Sequence, residues 1–144
     1  MKIQDIMTSN SIAYLNSSDP IERAAQQMKQ YNVGSLPVCE HQEVIGIVTD
    51  RDIILRSVAS GQNTGHKSVK DIMTPNPIVG NPNMDAHEAV RIMSENQIRR
   101  LPIVKNNKLV GMVSLGDISV EPKLQDNAEV ALKNISKPTN NRFI

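Results

Sequence analysis

The chain has 144 residues, a formal net charge of +1 and 2% aromatic residues. This length fits one compact domain, while the near-neutral charge and the few aromatic rings argue against a large nucleic-acid interface. No stretch approaches the roughly 18 apolar residues that cross a membrane, the start of the chain has no apolar signal-peptide core, and Cys39, the single cysteine, cannot form an internal disulfide. We therefore expect a cytoplasmic protein with no membrane and no nucleic-acid partner.

The first half of the chain has the pattern of a βαββα unit. The predicted elements are an extended run, a helix, two strands and a second helix, at residues 11–15, 21–31, 35–39, 44–48 and 50–59. Apolar residues at helical spacing mark the first helix, and Asp19 before Pro20 is expected to be its N-cap. The polar residues 40–43 form the turn between the strands.

The second half repeats this order. An extended run, a helix that begins near Asp85, two strands and a final helix are predicted at residues 77–81, 86–96, 101–104, 109–113 and 115–120. Pro122 ends the final helix because proline lacks the N–H group that a helix interior needs. We therefore expect repeat 1 at 1–59, a polar linker at 60–68, repeat 2 at 69–120, and a polar tail at 121–144. Asp126 is placed to begin a short helix in this tail, and 137–142 has the composition of a disordered end.

Three segments recur in the same order. Residues 5–8, 36–38 and 46–53 return as 71–74, 101–103 and 111–118. Each repeat alone is too short for a stable core, so we expect the two to pack as a pseudo-two-fold pair. The expected fold class is therefore α/β (α+β), with a cleft between the βαββα units where small ligands usually bind.

The candidate site is the pattern Gly-x-x-(Thr/Ser)-x-x-Asp where a strand meets a helix, present once in each repeat. One interpretation needs no ligand, because Thr49 with Asp52, and Ser114 with Asp117, have the spacing of helix capping boxes. The other interpretation is a ligand site, since a hydroxyl suits a phosphate or sugar oxygen and a carboxylate can accept from both hydroxyls of a ribose. Glycines at 46 and 111 favour the ligand, because glycine is costly inside a strand unless another group approaches the backbone.

These repeated motifs resemble the cystathionine-β-synthase (CBS) domain pair. The resemblance covers residues 1–120 and implies a stand-alone pair of CBS domains with no attached enzyme. The family binds adenosine nucleotides or related adenosyl ligands between the repeats and senses energy or metabolite state. It also implies a homodimer, with an unidentified protein partner reading the ligand state. AMP, ADP, ATP and other adenosyl ligands remain open alternatives.

The resemblance also implies which residues contact the ligand. The hydroxyl and carboxylate positions of the junction motif correspond to Thr49, Asp52, Ser114 and Asp117. The first strand of each repeat would contact the purine through Ile12, Ala13, Ile78 and Val79. The proline-bearing strands would close over the base through Leu36, Pro37, Val38, Leu101, Pro102 and Ile103.

Two arginines distinguish the repeats. Arg51 is replaced by Gly116 in repeat 2, and Arg100 corresponds to Ser35 in repeat 1. Because arginine matches phosphate geometry with its planar fork of donors, we expect Arg51 and Arg100 to face phosphate groups. The alternative is that they lie on a solvated face or pair with Asp50 and Glu95.

The favoured function is a regulatory nucleotide-binding module, and the alternative is a ligand-free structural or dimerisation module. An enzyme is not expected, because no nucleophile–base set is present. The three histidines fall in a turn, the linker and a helix start, so we also expect no metal site.

Overall fold

The computed structural model describes residues 1–61 and 63–138. They form two compact units. The first-repeat unit comprises Ser11–Ile78 with Asn106–Leu109, and the second-repeat unit comprises Met1–Asn10, Val79–Lys105 and residues 110–138. The compact units therefore do not coincide with the sequence repeats. The opening residues of the chain lie in the second-repeat unit, and Asn106–Leu109 lie in the first-repeat unit. No helix in the described part of the chain is both long enough and apolar enough to cross a membrane.

The first-repeat unit has the βαββα order that the sequence predicts. Its elements are β1 (Leu15–Asn16), α1 (Ile21–Tyr31), β2 (Ser35–Glu40), β3 (Glu43–Thr49), α2 (Asp50–Ile53) and β4 (Thr74–Pro75). β2 lies between β1, to which it is parallel, and β3, to which it is antiparallel. β4 pairs with the other edge of β3. α2 continues as a π-helical turn over Ile54–Val58, so the helical span matches the predicted one.

Helix α1 lies on its sheet through residues at helical spacing. Ile21, Ala24 and Met28 are buried on one face, and the helix ends at Asn32, whose left-handed φ of 53° closes it as a C-cap. The predicted N-cap is wrong, because Pro20 occupies that position with no side-chain hydrogen bond. The Asp19 carboxylate instead accepts a hydrogen bond of 2.9 Å from the backbone N–H of Asn16.

The second-repeat unit repeats the helix–strand–strand–helix order. It contains α3 (Ala86–Asn96), β5 (Arg100–Lys105), β6 (Lys108–Ser114, from Val110 in this unit), α4 (Leu115–Ser119) and α5 (Gln125–Ser136). β5 and β6 are hydrogen-bonded neighbours. The predicted extended run at 77–81 forms only a single bridge, between Gly80 and Ile103. The mixed α+β class predicted from the sequence is confirmed.

The polar tail contains a 12-residue helix, α5. Ala128, Ala131 and Ile135 are buried on its inner face, in the same core cluster as residues of α3 and α4. The Gln97 side chain donates to the carbonyl of Asn134 at 2.9 Å, and the Asn134 amide donates to Ser94 Oγ at 2.7 Å. These bonds attach α5 to α3. The predicted disordered end falls mainly on residues 139–142, which lie outside the described residues.

Candidate functional site

Each unit presents one hydroxyl and one carboxylate where a strand passes into a helix. In the first-repeat unit, Asp52 Oδ2 accepts from the Thr49 backbone N–H at 2.9 Å, and Thr49 Oγ1 accepts from the Asp52 N–H at 3.1 Å. In the second-repeat unit, the matching distances between Ser114 and Asp117 are 2.9 and 3.0 Å. Both motifs are therefore complete capping boxes. The capping interpretation is confirmed, and it does not exclude a ligand.

The two carboxylates differ in their surroundings. The Asp52 side chain is 13% exposed, and its Oδ1 lies 3.7 Å from Arg56 Nε. Arg56 also donates to the carbonyl of Ile72 at 3.2 Å. When the repeats are aligned so that Asp52 corresponds to Asp117, the counterpart of Arg56 in the second repeat is Glu121. A cation thus accompanies the carboxylate in one unit and an acidic residue follows it in the other. Arg56 was not predicted as a site residue, although its i, i+4 spacing from Asp52 is the signal of a helical ion pair.

The glycines at 46 and 111 make room for methionine side chains from other segments of the same chain. A Cβ on Gly46 would meet the side chain of Met73, with Cγ at 2.9 Å, and the carbonyl oxygen of Thr74 at 3.0 Å. The three atoms nearest to a Cβ on Gly111 all belong to the Met7 side chain, with Cγ at 3.1 Å and Cε at 3.2 Å. The repeated Ile-Met-Thr segments are therefore the groups that approach these two backbones. The glycines need no ligand to explain them, so they no longer favour a ligand site over helix capping.

Most residues predicted to contact the purine lie in or beside the hydrophobic cores. The buried ones are Leu36, Pro37, Val38, Leu101, Pro102 and Ile103. The more accessible ones are Ile12, Ala13, Ile78 and Val79. Ile78 is exposed, and Ala13 packs against the core of its unit. The structure therefore gives the proline-bearing strands a packing role, and contact with a base remains a prediction.

Ile12 and Ala13 line a groove of about 450 Å³ in the first-repeat unit. The other lining residues are Tyr14, Asn16, Asp19, Arg23, Gln27 and Tyr31. Thr49 and Asp52 are not among them. This groove therefore does not include the junction motif, and contact of Ile12 and Ala13 with a purine stays a prediction.

The two predicted phosphate-binding arginines do not make the alternative ion pairs. Arg51 is exposed at the start of α2 and Arg100 is half-buried at the start of β5. Glu95 pairs instead with Arg91, at 3.0 Å. Within residues 1–61 and 63–138, neither Arg51 nor Arg100 forms an ion pair. Both guanidinium groups are therefore available to an anion.

Cys39 and Glu40, which lie outside the junction motifs, have shifted pKa values. Burial raises the pKa of the Cys39 thiol to about 11, which makes it a packing residue, because the reactive form of cysteine is the thiolate. The hydrogen bond from Ser17 Oγ, at 2.7 Å, lowers the pKa of Glu40, with a further contribution from Lys70 at 3.3 Å. In the part of the chain that the structure describes, no three His, Cys, Asp or Glu side chains are close enough to hold a metal ion.

Comparison with known proteins identifies the family of this chain. The family model of the CBS domain matches residues 3–59 and residues 69–121. The chain belongs to the CBS domain family. CBS domain-containing protein YhcV of Bacillus subtilis (strain 168) is 44% identical over 134 residues, which cover 93% of this chain and 94% of that protein. The CBS resemblance inferred from the repeated motifs is therefore confirmed.

Solved structures of CBS proteins share the fold. The crystal structure of Hypoxic Response Protein I with two coordinated zinc ions aligns with a TM-score of 0.77 at 27% identity, covering 84% of this chain and 98% of that chain. The crystal structure of CBSX2 in complex with AMP aligns with a TM-score of 0.73 at 28% identity, covering 87% of this chain and 97% of that chain. These similarities agree with a pair of CBS domains.

Proposed function

We propose that this protein is a regulatory module that binds an adenosine nucleotide through the junction motif of each unit, and that it is not an enzyme. The observation that carries the proposal is the pair of matching hydroxyl-plus-carboxylate junctions in a CBS chain. The AMP complex of the similar protein CBSX2 supports an adenosine ligand. The ligand acts as a regulator, because a nucleotide that binds one conformation more tightly than another shifts the protein toward that conformation.

The capping bonds leave each carboxylate able to bind a sugar. An ionised carboxylate has about four lone-pair sites, and the cap uses one of them on Asp52 and one on Asp117. The remaining oxygen, Oδ1, accepts from the two ribose hydroxyls. Thr49 and Ser114 turn their hydroxyl oxygens toward the helix N–H groups, so their O–H hydrogens remain available as donors to a ligand oxygen.

The charges near the junctions set the preference for phosphate. Arg51 and Arg56 belong to the first-repeat unit, where the corresponding residues of the other repeat are Gly116 and Glu121. We expect the first-repeat junction to favour the more highly phosphorylated nucleotide.

Arg100 supplies a phosphate contact from β5. In a titration with AMP, ADP and ATP, Arg100→Ala should weaken at least one of them, and unchanged affinities for all three would remove its proposed role.

The decisive experiment is isothermal titration calorimetry with AMP, ADP and ATP on three carboxylate variants. Asp52→Asn and Asp117→Asn each keep an oxygen for the capping bond but lose the charge that grips the ribose. Each should weaken nucleotide binding to its own junction by about tenfold or more, as expected for a hydrogen bond to a charged group. Asp71→Asn is the matched control, because the Asp71 carboxylate also accepts from the backbone N–H three residues before it, that of Ser68, outside the junctions.

The results separate the two functions. Loss of binding in Asp52→Asn or Asp117→Asn with retention in Asp71→Asn supports nucleotide binding. Absence of heat with every nucleotide, or equal affinity in all variants, favours the alternative, a ligand-free dimerisation module.

Exposed apolar side chains at Ile54, Leu55 and Val58 favour association. We propose that they contribute to a homodimer, which light scattering of the wild type and Ile54→Asp tests.

A further inference from the structure

The groove beside β1 and α1 contains both tyrosines of the chain. Tyr14 and Tyr31 line it, and each is 46% exposed. The two tyrosine rings border a concavity whose other lining is mainly polar, so they can pack against a ligand ring while its polar groups meet the remaining side chains. The volume of about 450 Å³ is within the range of small-molecule pockets.

The same groove presents one cation and one anion that do not neutralise each other. Arg23 and Asp19 both line it, yet neither forms an ion pair with any residue that the structure describes. One oxygen of Asp19 accepts from the Asn16 N–H, and the other is available. A groove with separated, unpaired charges of both signs suits a ligand that carries both charges.

Gln27 adds a polar group that lacks a partner. Its side chain lines the groove, and its Oε1 is buried without a hydrogen-bond partner in the described structure. A buried polar atom left unpaired costs free energy. The terminal torsion of glutamine is broad, so the amide can rotate when a ligand offers it a hydrogen-bond partner.

We propose that this groove binds a zwitterionic α-amino acid with an aromatic side chain, at a site separate from the junction motifs. The ligand carboxylate pairs with Arg23, its ammonium group pairs with Asp19 and donates to Gln27, and its ring lies against Tyr14 and Tyr31. The groove is separate from the junction motif, because neither Thr49 nor Asp52 lines it, although Ile12 and Ala13, which the CBS resemblance assigns to the purine, do. The protein therefore has a second ligand, of a different chemical class from the nucleotide.

The test uses L-phenylalanine and L-tryptophan as probes in calorimetry on the full chain. 3-Phenylpropionate and 2-phenylethylamine each lack one of the two charges, so each should bind about tenfold or more weakly. Arg23→Gln should weaken phenylalanine binding to a similar extent. Lys29→Gln is the matched control, because it removes a positive charge from the same helix at an exposed position outside the groove. Asp52→Asn should leave phenylalanine affinity unchanged.

A second measurement follows the tyrosine rings directly. With ¹³C-labelled tyrosine, the chain gives ring signals from two residues only, and both should shift on adding phenylalanine. Binding that is lost in Arg23→Gln and retained in Lys29→Gln, with both ring signals shifted, establishes the site. Absence of phenylalanine and tryptophan binding overturns the proposal. So does a groove that responds only to adenine nucleotides, because it would then be part of the nucleotide site.

Discussion

Replacing Gly46 with alanine tests whether the strand glycines serve the packing of the chain. A Cβ at this position would collide with the Met73 side chain and lie 3.0 Å from the carbonyl oxygen of Thr74. The sulfur end of Met73 can move, but the Thr74 carbonyl belongs to β4, which is paired with β3 at Gly46 and Ile47. Relief of the clash therefore requires β4 to shift.

Gly111→Ala is the matched comparison in the other unit. All three atoms nearest to its added Cβ belong to the flexible side chain of Met7. Overpacking a well-packed site costs about 1–3 kcal/mol, while alanine in place of glycine returns about 0.4–1 kcal/mol by restricting the unfolded chain. We therefore expect Gly46→Ala to lower the free energy of unfolding by about 1–2 kcal/mol. Gly111→Ala should cost less, because a rotation of Met7 relieves the clash.

Urea denaturation of the two variants provides the measurement, and a double-mutant cycle with Met73→Ala locates the clash. The cycle should show a favourable coupling, since the smaller side chain relieves part of the overlap with the new Cβ. Equal stability of Gly46→Ala and wild type would refute this reasoning. A larger loss in Gly111→Ala than in Gly46→Ala would refute it as well.

Three further results are expected. Native Cys39 should react slowly with iodoacetamide at pH 8, because its pKa is about 11, and the denatured chain should react quickly; rapid native labelling would show that the thiol is accessible. Ser17→Ala should raise the pKa of Glu40 toward its ordinary value in an NMR titration, because the Ser17 hydrogen bond is the main cause of the lowered pKa. Since that pKa is lower in the folded state, Glu40 stabilises the fold above its unfolded pKa and loses this effect as the pH falls through the folded value. Ile135→Ala should cost about 2–4 kcal/mol in urea denaturation, as for other buried isoleucines, and a cost near zero would show that α5 does not contribute to the core.

Local patterns were sufficient to predict most elements. The apolar spacing of Ile21, Ala24 and Met28 predicted α1, and the predicted strands at 101–104 and 109–113 enclose Asn106 and Asn107, which form the turn between β5 and β6. Both asparagines have the left-handed φ, 53° and 66°, that two-residue hairpin turns require. The failed cap at Asp19 shows the limit of such reasoning, since its carboxylate bonds back to the preceding strand.

Contacts between distant segments were not predictable in this way. Met7 packs beside Gly111 and Met73 beside Gly46, but no local pattern specifies which strand a distant segment joins. The pairs Thr49 with Asp52 and Ser114 with Asp117 could be predicted from the sequence, because capping has a fixed spacing of three residues. The groove could not be predicted, because its charged and aromatic residues come from the loops on either side of β1 and from α1, which only the fold brings together.

A crystal structure of the protein grown with AMP tests most directly whether the junction carboxylates bind an adenosine nucleotide. We expect AMP with its ribose hydroxyl oxygens about 2.5–3.2 Å from a carboxylate oxygen of Asp52 or Asp117. AMP bound away from both carboxylates, or no AMP bound at saturating concentration, would contradict it.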